Sequence, residues 1–118
     1  MEVCRLKEEG LTARDIFDAA NAGDSVAETI VEDTSFYLAV GAVNMMHTID
    51  PNMIVYGGGM IAAGEPFLDR IRKHVKELAF PVPAAKTTIC YAQLGIDAGF
   101  VGAAACGRKL FSEKIPRH

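Results

Sequence analysis

Residues 50–59 read DPNMIVYGGG, and this stretch decides the fold. Asp50-Pro51 ends the helix before it, because a residue that precedes proline is disfavoured in the α region. Met53 to Tyr56 is an apolar, β-prone run without alternation, which is typical of a strand buried on both faces. Three glycines follow the strand directly. The stretch therefore predicts a central strand of an α/β sheet, with a loop that lacks side chains at its carboxyl end.

Two helices are predicted on the N-terminal side of this strand. Thr12, followed three residues later by Asp15, resembles a capping box, which predicts a short helix over about residues 13–21. The Asp-Ser pair at residues 24–25 can cap a second helix, which should run to about Ile49. The second half of that helix is apolar nearly all round, so we expect it to be covered on several sides.

A helix, a strand and a helix are predicted after the glycines. The first helix begins near Pro66 and is amphipathic, the strand covers Thr87 to Leu94, and Asp97 caps a last helix over about residues 98–110. The element order is therefore α-α-β-α-β-α, and the two strands should be parallel because a helix connects them. Two strands do not make a stable sheet alone. We expect the chain to be part of a larger sheet or to pair with another copy.

Gly57, Gly58 and Gly59 are the candidate ligand-binding residues. Glycines at the carboxyl end of a buried strand let a flat ligand approach the backbone, and their conformational cost argues for a purpose beyond a tight turn. The dinucleotide pattern GxGxxA is formally present here. A Rossmann site is nevertheless not predicted, because no helix opens at this loop and the next strand ends without a carboxylate for a ribose. The sequence also lacks the P-loop pattern GxxxxGK[ST].

The composition argues against several classes of partner. The 118 residues include 12 Lys and Arg against 15 Asp and Glu, without a long basic run. We therefore expect no nucleic-acid partner and no anionic membrane. The most apolar stretch, Phe36 to Met46, is shorter than the ~20 residues that span a bilayer. The N-terminal sequence MEVCRLKEEG carries charges where a signal peptide is apolar, which favours a cytoplasmic protein.

The reactive side chains form no recognisable catalytic or metal-binding pattern. The cysteines are far apart and fit neither a disulfide framework nor a zinc site, so we interpret them as reduced thiols: Cys4, Cys90 and Cys106. The histidines lack the i, i+4 spacing of zinc ligands: His47, His74 and His118. A turn, an exposed helix face and a cap account for Asp50, Asp69 and Asp97. The sequence therefore predicts no catalytic and no metal-binding residue in this chain.

Two separated motifs resemble a known family. Residues 50–59 are the first motif, and residues 94–104, which read LGIDAGFVGAA, are the second. Together with LTARDIFDAANAGD at residues 11–24, they resemble the C-terminal region of ROK proteins, a group of bacterial glucokinases, other hexose and N-acetylhexosamine kinases, and sugar-responsive repressors. The similarity covers about Leu11 to Arg108, and it is specific because both motifs occur in the right order and spacing.

The resemblance implies an actin-like ATPase (ribonuclease H-like) fold of two lobes, with ATP and Mg²⁺ in the cleft and a hexose nearby. It implies that Gly57, Gly58 and Gly59 belong to the adenosine motif. It also implies that Gly99 and Gly102 lie near the lobe junction, where small residues allow close packing.

The sequence lacks three elements of the family: the DxGxT phosphate loop, the acidic base and the CxCGxxGCxE zinc motif. Phosphoryl transfer depends mostly on positioning the phosphates, the metal and the acceptor hydroxyl. We therefore expect the chain to be inactive alone. Residues 1–118 are interpreted as a single partial domain without its N-terminal lobe, either a truncated gene product or part of a longer one.

Three hypotheses follow. The first is part of an ATP-dependent hexose kinase, glucokinase-like, in which this chain contributes the adenosine-binding side of the ATP cleft. The second is the sugar-responsive domain of a ROK-type repressor. The third is a structural fragment that forms a homo-oligomer through its long apolar helix and its sheet edge. The intact glycine run favours the kinase, because a regulator that does not bind ATP has less need of it.

Overall fold

The structure, a computed structural model, describes residues 10–114, with side chains to residue 112. Cys4 and His118 therefore lie outside the described residues. The elements follow one another as α1 (Ala13–Asn21), α2 (Ser25–Ile49), β1 (Met53–Tyr56), α3 (Glu65–Leu78), α4 (Pro81–Lys86), β2 (Thr88–Tyr91) and α5 (Ala98–Lys114), with 3₁₀-helices over Gly58–Ala63 and Gly95–Asp97.

Side-chain caps begin the first two helices, as the sequence predicts. The Thr12 amide donates to Asp15 Oδ2 at 3.0 Å, and the Asp15 amide donates to Thr12 Oγ1 at 3.3 Å. Asp24 Oδ1 accepts from the amides of Val26 at 2.9 Å and Ala27 at 3.0 Å. Each such cap stabilises a helix by about 1 kcal/mol, because it satisfies amides that have no partner inside the helix.

The two strands form the predicted parallel pair. Their register runs from Met53 opposite Thr88 to Tyr56 opposite Tyr91. Ile54 and Tyr56 pack against the hydrophobic core, whereas Met53 on the other face is 55% exposed. The prediction of a strand buried on both faces is therefore wrong for the described residues, because helices cover only one side of the pair.

The core lies where α2, α3 and β2 meet. Met46 on α2, Leu68 and Ile71 on α3, and Ile89 on β2 are all buried in one cluster. The Tyr56 hydroxyl reaches across from β1 and donates to the carbonyl of Leu38 at 2.9 Å. Burying a large aliphatic side chain contributes about 1.5–3 kcal/mol. This cluster therefore fixes α2 and α3 on one face of the sheet.

The predicted element order needs one correction. Pro81 and Pro83 lie in the first turn of the short helix α4, which the predicted order lacks. Proline is tolerated in the first turn of a helix, because the amide it lacks would have no partner there. The order is therefore α-α-β-α-α-β-α. The second strand also ends at Tyr91 rather than at Leu94, and the expected loop after Gly57 is a 3₁₀-helix.

The C-terminal end of α2 is joined to the segment that follows α3. The His47 ring stacks on Phe80, with centroids 4.4 Å apart. The Phe80 amide donates to His47 Nε2 at 3.1 Å. Nearby, Lys86 Nζ forms an ion pair with Asp50 Oδ2 at 2.7 Å. His47 thus lies in the last turn of α2 and also contacts a neighbouring element.

Two helices expose more apolar surface than the sequence predicts. On α2, Tyr37 and Ile49 are 72% and 70% exposed, so the expected cover on several sides is wrong for the described residues. On α5, Phe100 is 78% exposed. A Cβ atom added at Gly99 or Gly102 would meet no described atom within 4 Å, so the close packing expected there is not found among residues 10–112. The described residues provide no further layer to cover these faces.

Candidate functional site

The glycine run lies at the carboxyl end of β1 with its backbone exposed. Gly57 is extended, with φ −136° and ψ −177°, and Gly58 then turns the chain with φ +78°. A Cβ atom at Gly58 or Gly59 would meet no described atom within 4 Å. At Gly57 it would lie 3.9 Å from Ala92 Cβ, which is ordinary contact. Among these three residues, conformation therefore requires glycine only at Gly58, and open space lies beside Gly58 and Gly59.

A second glycine-containing segment lies beside the first. The 3₁₀-helix Gly95–Asp97 follows β2, contacts the 3₁₀-helix Gly58–Ala63, and contains Gly95 at φ +60°. The Ala92 amide donates to the carbonyl of Tyr56 at 2.8 Å, which keeps the two strand ends together. Ligands of open α/β sheets bind outside the carboxyl ends of the strands. The structure thus brings both sequence motifs to the edge where such a ligand binds.

Tyr91 fixes the far end of the glycine-containing segment. Its hydroxyl donates to the carbonyl of Gly64 at 3.0 Å, and Gly64 itself has φ +77°. Burial raises the pKa of the Tyr91 hydroxyl, and the charge of Glu65 raises it further, so the hydroxyl keeps the proton that it donates. The sequence does not predict this role of Tyr91, because the strand pattern shows a tyrosine but not the loop that it contacts.

A pocket separates the glycine segment from α1. Its volume is about 210 Å³. One wall consists of glycine-segment residues and the other of residues from one stripe of α1, and together they are Gly59, Met60, Ala62, Ala63, Ala13, Arg14, Phe17, Asp18 and Asn21. The Phe17 ring packs edge-on against Phe67, with centroids 5.0 Å apart, so this part of the pocket is held by the core. Gly57 and Gly58 do not line this pocket, whereas Gly59 does.

A cluster of charged side chains on α2 and α3 lies away from the glycines. Glu32 on α2 accepts from Arg70 Nη1 at 2.8 Å and lies 2.8 Å from His74 Nε2 on α3. The hydrogen bond from Arg70 is the main cause of the lowered pKa of Glu32, and His74 contributes to it. These contacts join two helices of the scaffold, so we assign them to the fold.

The described part of the chain contains neither a cluster of metal ligands nor a helix that could cross a membrane. Within residues 10–112, no three His, Cys, Asp or Glu side chains are grouped so that they would hold a metal ion. No described helix combines the length and the apolar character needed to cross a membrane. Cys90 is partly buried and Cys106 is exposed, and both are free thiols.

Comparison with known proteins gives the family directly. Residues 1–109 match the profile of the ROK family. The chain belongs to the ROK family. The resemblance found in the two sequence motifs is thereby confirmed, and the matched range includes α1, both glycine-containing segments and most of α5.

The relatives of this ROK chain include a kinase and a regulator. It is 38% identical over 92 residues to a glucokinase from Halalkalibacterium halodurans, an alignment that covers 78% of this chain and 28% of that protein. It is 26% identical over 96 residues to the xylose repressor from Bacillus spizizenii, covering 81% of this chain and 25% of that protein. The chain therefore spans less than a third of the length of either relative.

A solved structure supports the fold of the ROK chain. The crystal structure of a proposed sugar kinase from Cytophaga hutchinsonii superposes with a TM-score of 0.72 and 29% sequence identity. The match covers 86% of this chain and 34% of that one. The α/β fold of this chain thus resembles part of that protein, of which the matched region is about a third.

Proposed function

We propose that this chain forms the adenosine-binding side of the ATP cleft in an ATP-dependent hexose kinase, glucokinase-like, with an actin-like ATPase fold. One observation carries the proposal. The run Gly57-Gly58-Gly59 lies exposed at the carboxyl end of β1, next to the second glycine-containing segment and at the rim of a pocket. Backbone without side chains admits a flat ligand, and this edge of a sheet is where α/β proteins bind ligands.

The chain supplies binding surface rather than catalysis in this proposal. Phosphoryl transfer needs groups that hold the phosphates, the metal and the acceptor hydroxyl. The described residues do not fit a Mg²⁺ site, since they contain no group of ligands for a metal ion. Mg²⁺ and the hexose are therefore assigned to parts of a longer cytoplasmic protein. The exposed apolar face of α2, which includes Tyr37, is consistent with assembly into a homo-oligomer.

Nucleotide binding by the chain tests the proposed site. We expect ATP and ADP to bind weakly in calorimetric titration, and we expect Gly59→Val to remove that binding. Gly59 has no positive φ and open space around it, so valine there obstructs the ligand without straining the backbone. Gly41→Val is the matched control, because Gly41 is exposed on α2 and its Cβ also has room. Equal binding by both variants and the unchanged chain would contradict the site.

Kinase activity tests the remainder of the proposal. A full-length protein that contains this sequence should transfer the γ-phosphoryl group of ATP to glucose or a related hexose, and the 118-residue chain alone should not. A coupled assay that follows ADP formation with a panel of hexoses measures both. Inactivity of the full-length protein on every hexose, with nucleotide binding intact, would refute the kinase assignment.

A sugar-responsive repressor is the second candidate, because the xylose repressor is among the relatives of this chain. Such a regulator would bind a sugar without needing ATP. One titration of the full-length protein distinguishes the two candidate functions. Nucleotide binding that Gly59→Val abolishes favours the kinase, whereas sugar binding without any nucleotide binding favours the repressor.

A further inference from the structure

The outer edge of β2, on the side away from β1, has no neighbouring strand among the described residues. The Thr88 amide donates to the carbonyl of Asn52 at 3.0 Å, so the backbone groups of Thr88 point toward β1. Because successive residues of a strand alternate in direction, the backbone groups of Ile89 and Tyr91 point away from β1. A row of such groups is a template for pairing with another chain.

One side chain occupies this edge. The Nε and Nη2 atoms of Arg72 on α3 donate to the carbonyl of Ile89 at 3.1 and 2.8 Å. A carbonyl oxygen has two lone pairs, and the two guanidinium donors use both. An amide of an added strand would need the same carbonyl. Arg72 therefore occupies the acceptor on which pairing at Ile89 depends.

Two acids on α3 hold the Arg72 guanidinium in place. Its Nη1 atom donates to Asp69 Oδ1 at 2.8 Å and also to Glu65 Oε1. The three residues follow one another at spacings of four and three, so they lie on one face of the helix. The Arg72 side chain is 33% exposed, and exposed ion pairs add little to stability. We therefore assign the two acids to positioning the guanidinium against the strand.

The same edge has space for an added strand wherever Arg72 does not lie. A pocket of about 250 Å³ lies between α3, α4 and β2. Its lining includes Val75 and Lys76 of α3, Ala84 of α4 and Thr88 of β2. The sequence of β2, Thr-Ile-Cys-Tyr, is rich in residues that favour strands. Space and composition thus favour pairing at this edge, and Arg72 opposes it.

We propose that Arg72 blocks strand addition by a second copy of this chain at the outer edge of β2. Two β2 strands can pair antiparallel about a twofold axis, because each then presents the same edge to the other. Such pairing would use the outward backbone groups of Ile89 and Tyr91 in both copies. Without the Arg72 donors, the Ile89 carbonyl is free to accept from the second copy. This role of Arg72 goes beyond the proposed function, because it concerns assembly and not nucleotide binding.

Sedimentation velocity over a range of concentrations tests the role by comparing Arg72→Met with Arg70→Met. Methionine keeps an apolar stem and removes every donor. Arg70 is the matched control, because it also lies on α3, its side chain is 36% exposed, and it pairs with Glu32 rather than with β2. We expect Arg72→Met to self-associate about tenfold more tightly than Arg70→Met, on the scale of one hydrogen bond. Equal association by the two variants would overturn the inference.

Amide hydrogen exchange of the ¹⁵N-labelled Arg72→Met chain locates the contact. We expect exchange at Ile89 and Tyr91 to slow as the concentration rises, because pairing at the outer edge protects these amides, and we expect no such dependence in the unchanged chain. Self-association without this protection would place the contact elsewhere and overturn the inference.

A second variant serves if circular dichroism shows that Arg72→Met does not fold. Glu65→Ala combined with Asp69→Ala keeps Arg72 but removes both carboxylates that position it. We expect this double variant to self-associate more tightly than the unchanged chain, with slower exchange at Ile89 and Tyr91. If it associates no more tightly than the unchanged chain, the inference is wrong.

Discussion

Gly58 is the residue of the glycine run whose backbone geometry requires glycine. Its φ of +78° lies in the left-handed region, whereas Gly59 is not among the positive-φ residues. A side chain in that region costs about 1–2 kcal/mol. We expect Gly58→Ala to lower the free energy of unfolding by about that amount in urea denaturation, with little change for Gly59→Ala. Equal losses would show that space, and not conformation, selects glycine at this turn.

Glu32 makes the free energy of unfolding depend on pH. Its pKa is lower in the folded chain than in the unfolded one, because Arg70 donates to it and His74 lies beside it. A group with a depressed folded pKa stabilises the fold above its unfolded pKa of about 4.3, and this contribution is lost as the pH falls through the folded value. We therefore expect the difference in the free energy of unfolding between the unchanged chain and Glu32→Gln to shrink as the pH falls below about 4.3.

Chemical denaturation at a series of pH values measures this difference. Asp33→Asn is the matched control, since Asp33 is the neighbouring acid on the same helix and is exposed. The effect should be small, because the Glu32 and Arg70 side chains are 40% and 36% exposed and water weakens such pairs. A difference that grew on acidification would contradict the assigned sign.

Tyr91 links the second strand to the end of the glycine segment. Tyr91→Phe removes the hydrogen bond to the Gly64 carbonyl and leaves that partly buried acceptor without its partner. We expect a loss of about 0.5–1.5 kcal/mol in the free energy of unfolding. Tyr37→Phe, which removes a hydroxyl from a side chain that is 72% exposed, should change little. A comparable loss in both variants would indicate that the Gly64 contact does not hold the segment.

The helices α3 and α5 differ in what they contribute to stability. Ile71 on α3 is fully buried, whereas Leu110 on α5 is 61% exposed. Truncating a buried aliphatic side chain costs about 2–5 kcal/mol, because it removes contacts and leaves a cavity. We expect that loss for Ile71→Ala in thermal or urea unfolding and a change within about 0.5 kcal/mol for Leu110→Ala. A large loss from Leu110→Ala would mean that α5 packs in solution.

Local signals predicted the elements better than the contacts between them. The caps at Thr12 and Asp24 act within a few residues, so sequence suffices to begin α1 and α2 where the structure has them. Helix α4 was missed because its prolines are helix breakers everywhere except in a first turn. The pocket was missed because α1 and Gly59 are separated by the whole of α2, and no periodicity shows which elements meet. The glycine run itself was recognisable, because strand and glycines are adjacent in sequence.

At the scale of the whole molecule, the chain is extended. Its radius of gyration is 18.7 Å, against about 13 Å for a compact domain of roughly 100 residues. Its extents are 67 × 41 × 19 Å. This shape agrees with a chain that spans 34% of the solved structure from Cytophaga hutchinsonii, because among the described residues one sheet face and α5 lack the layers that would cover them.

Small-angle X-ray scattering of the chain tests this shape. We expect a radius of gyration near 18.7 Å at low concentration. A value near 13 Å, as in a compact domain, would mean that α5 folds back onto the sheet. Growth of the radius with concentration would indicate association of copies through the exposed apolar faces.

The contact between His47 and Phe80 selects one tautomer of a single imidazole. Because Nε2 accepts the Phe80 amide at 3.1 Å, its lone pair is used and the ring proton must reside on Nδ1. An imidazolium has no lone pair on Nε2, so it cannot accept the bond from the Phe80 amide. The two N–H groups would then face each other as donors. Only the neutral tautomer with its proton on Nδ1 can accept this bond, which joins the end of α2 to the start of α4.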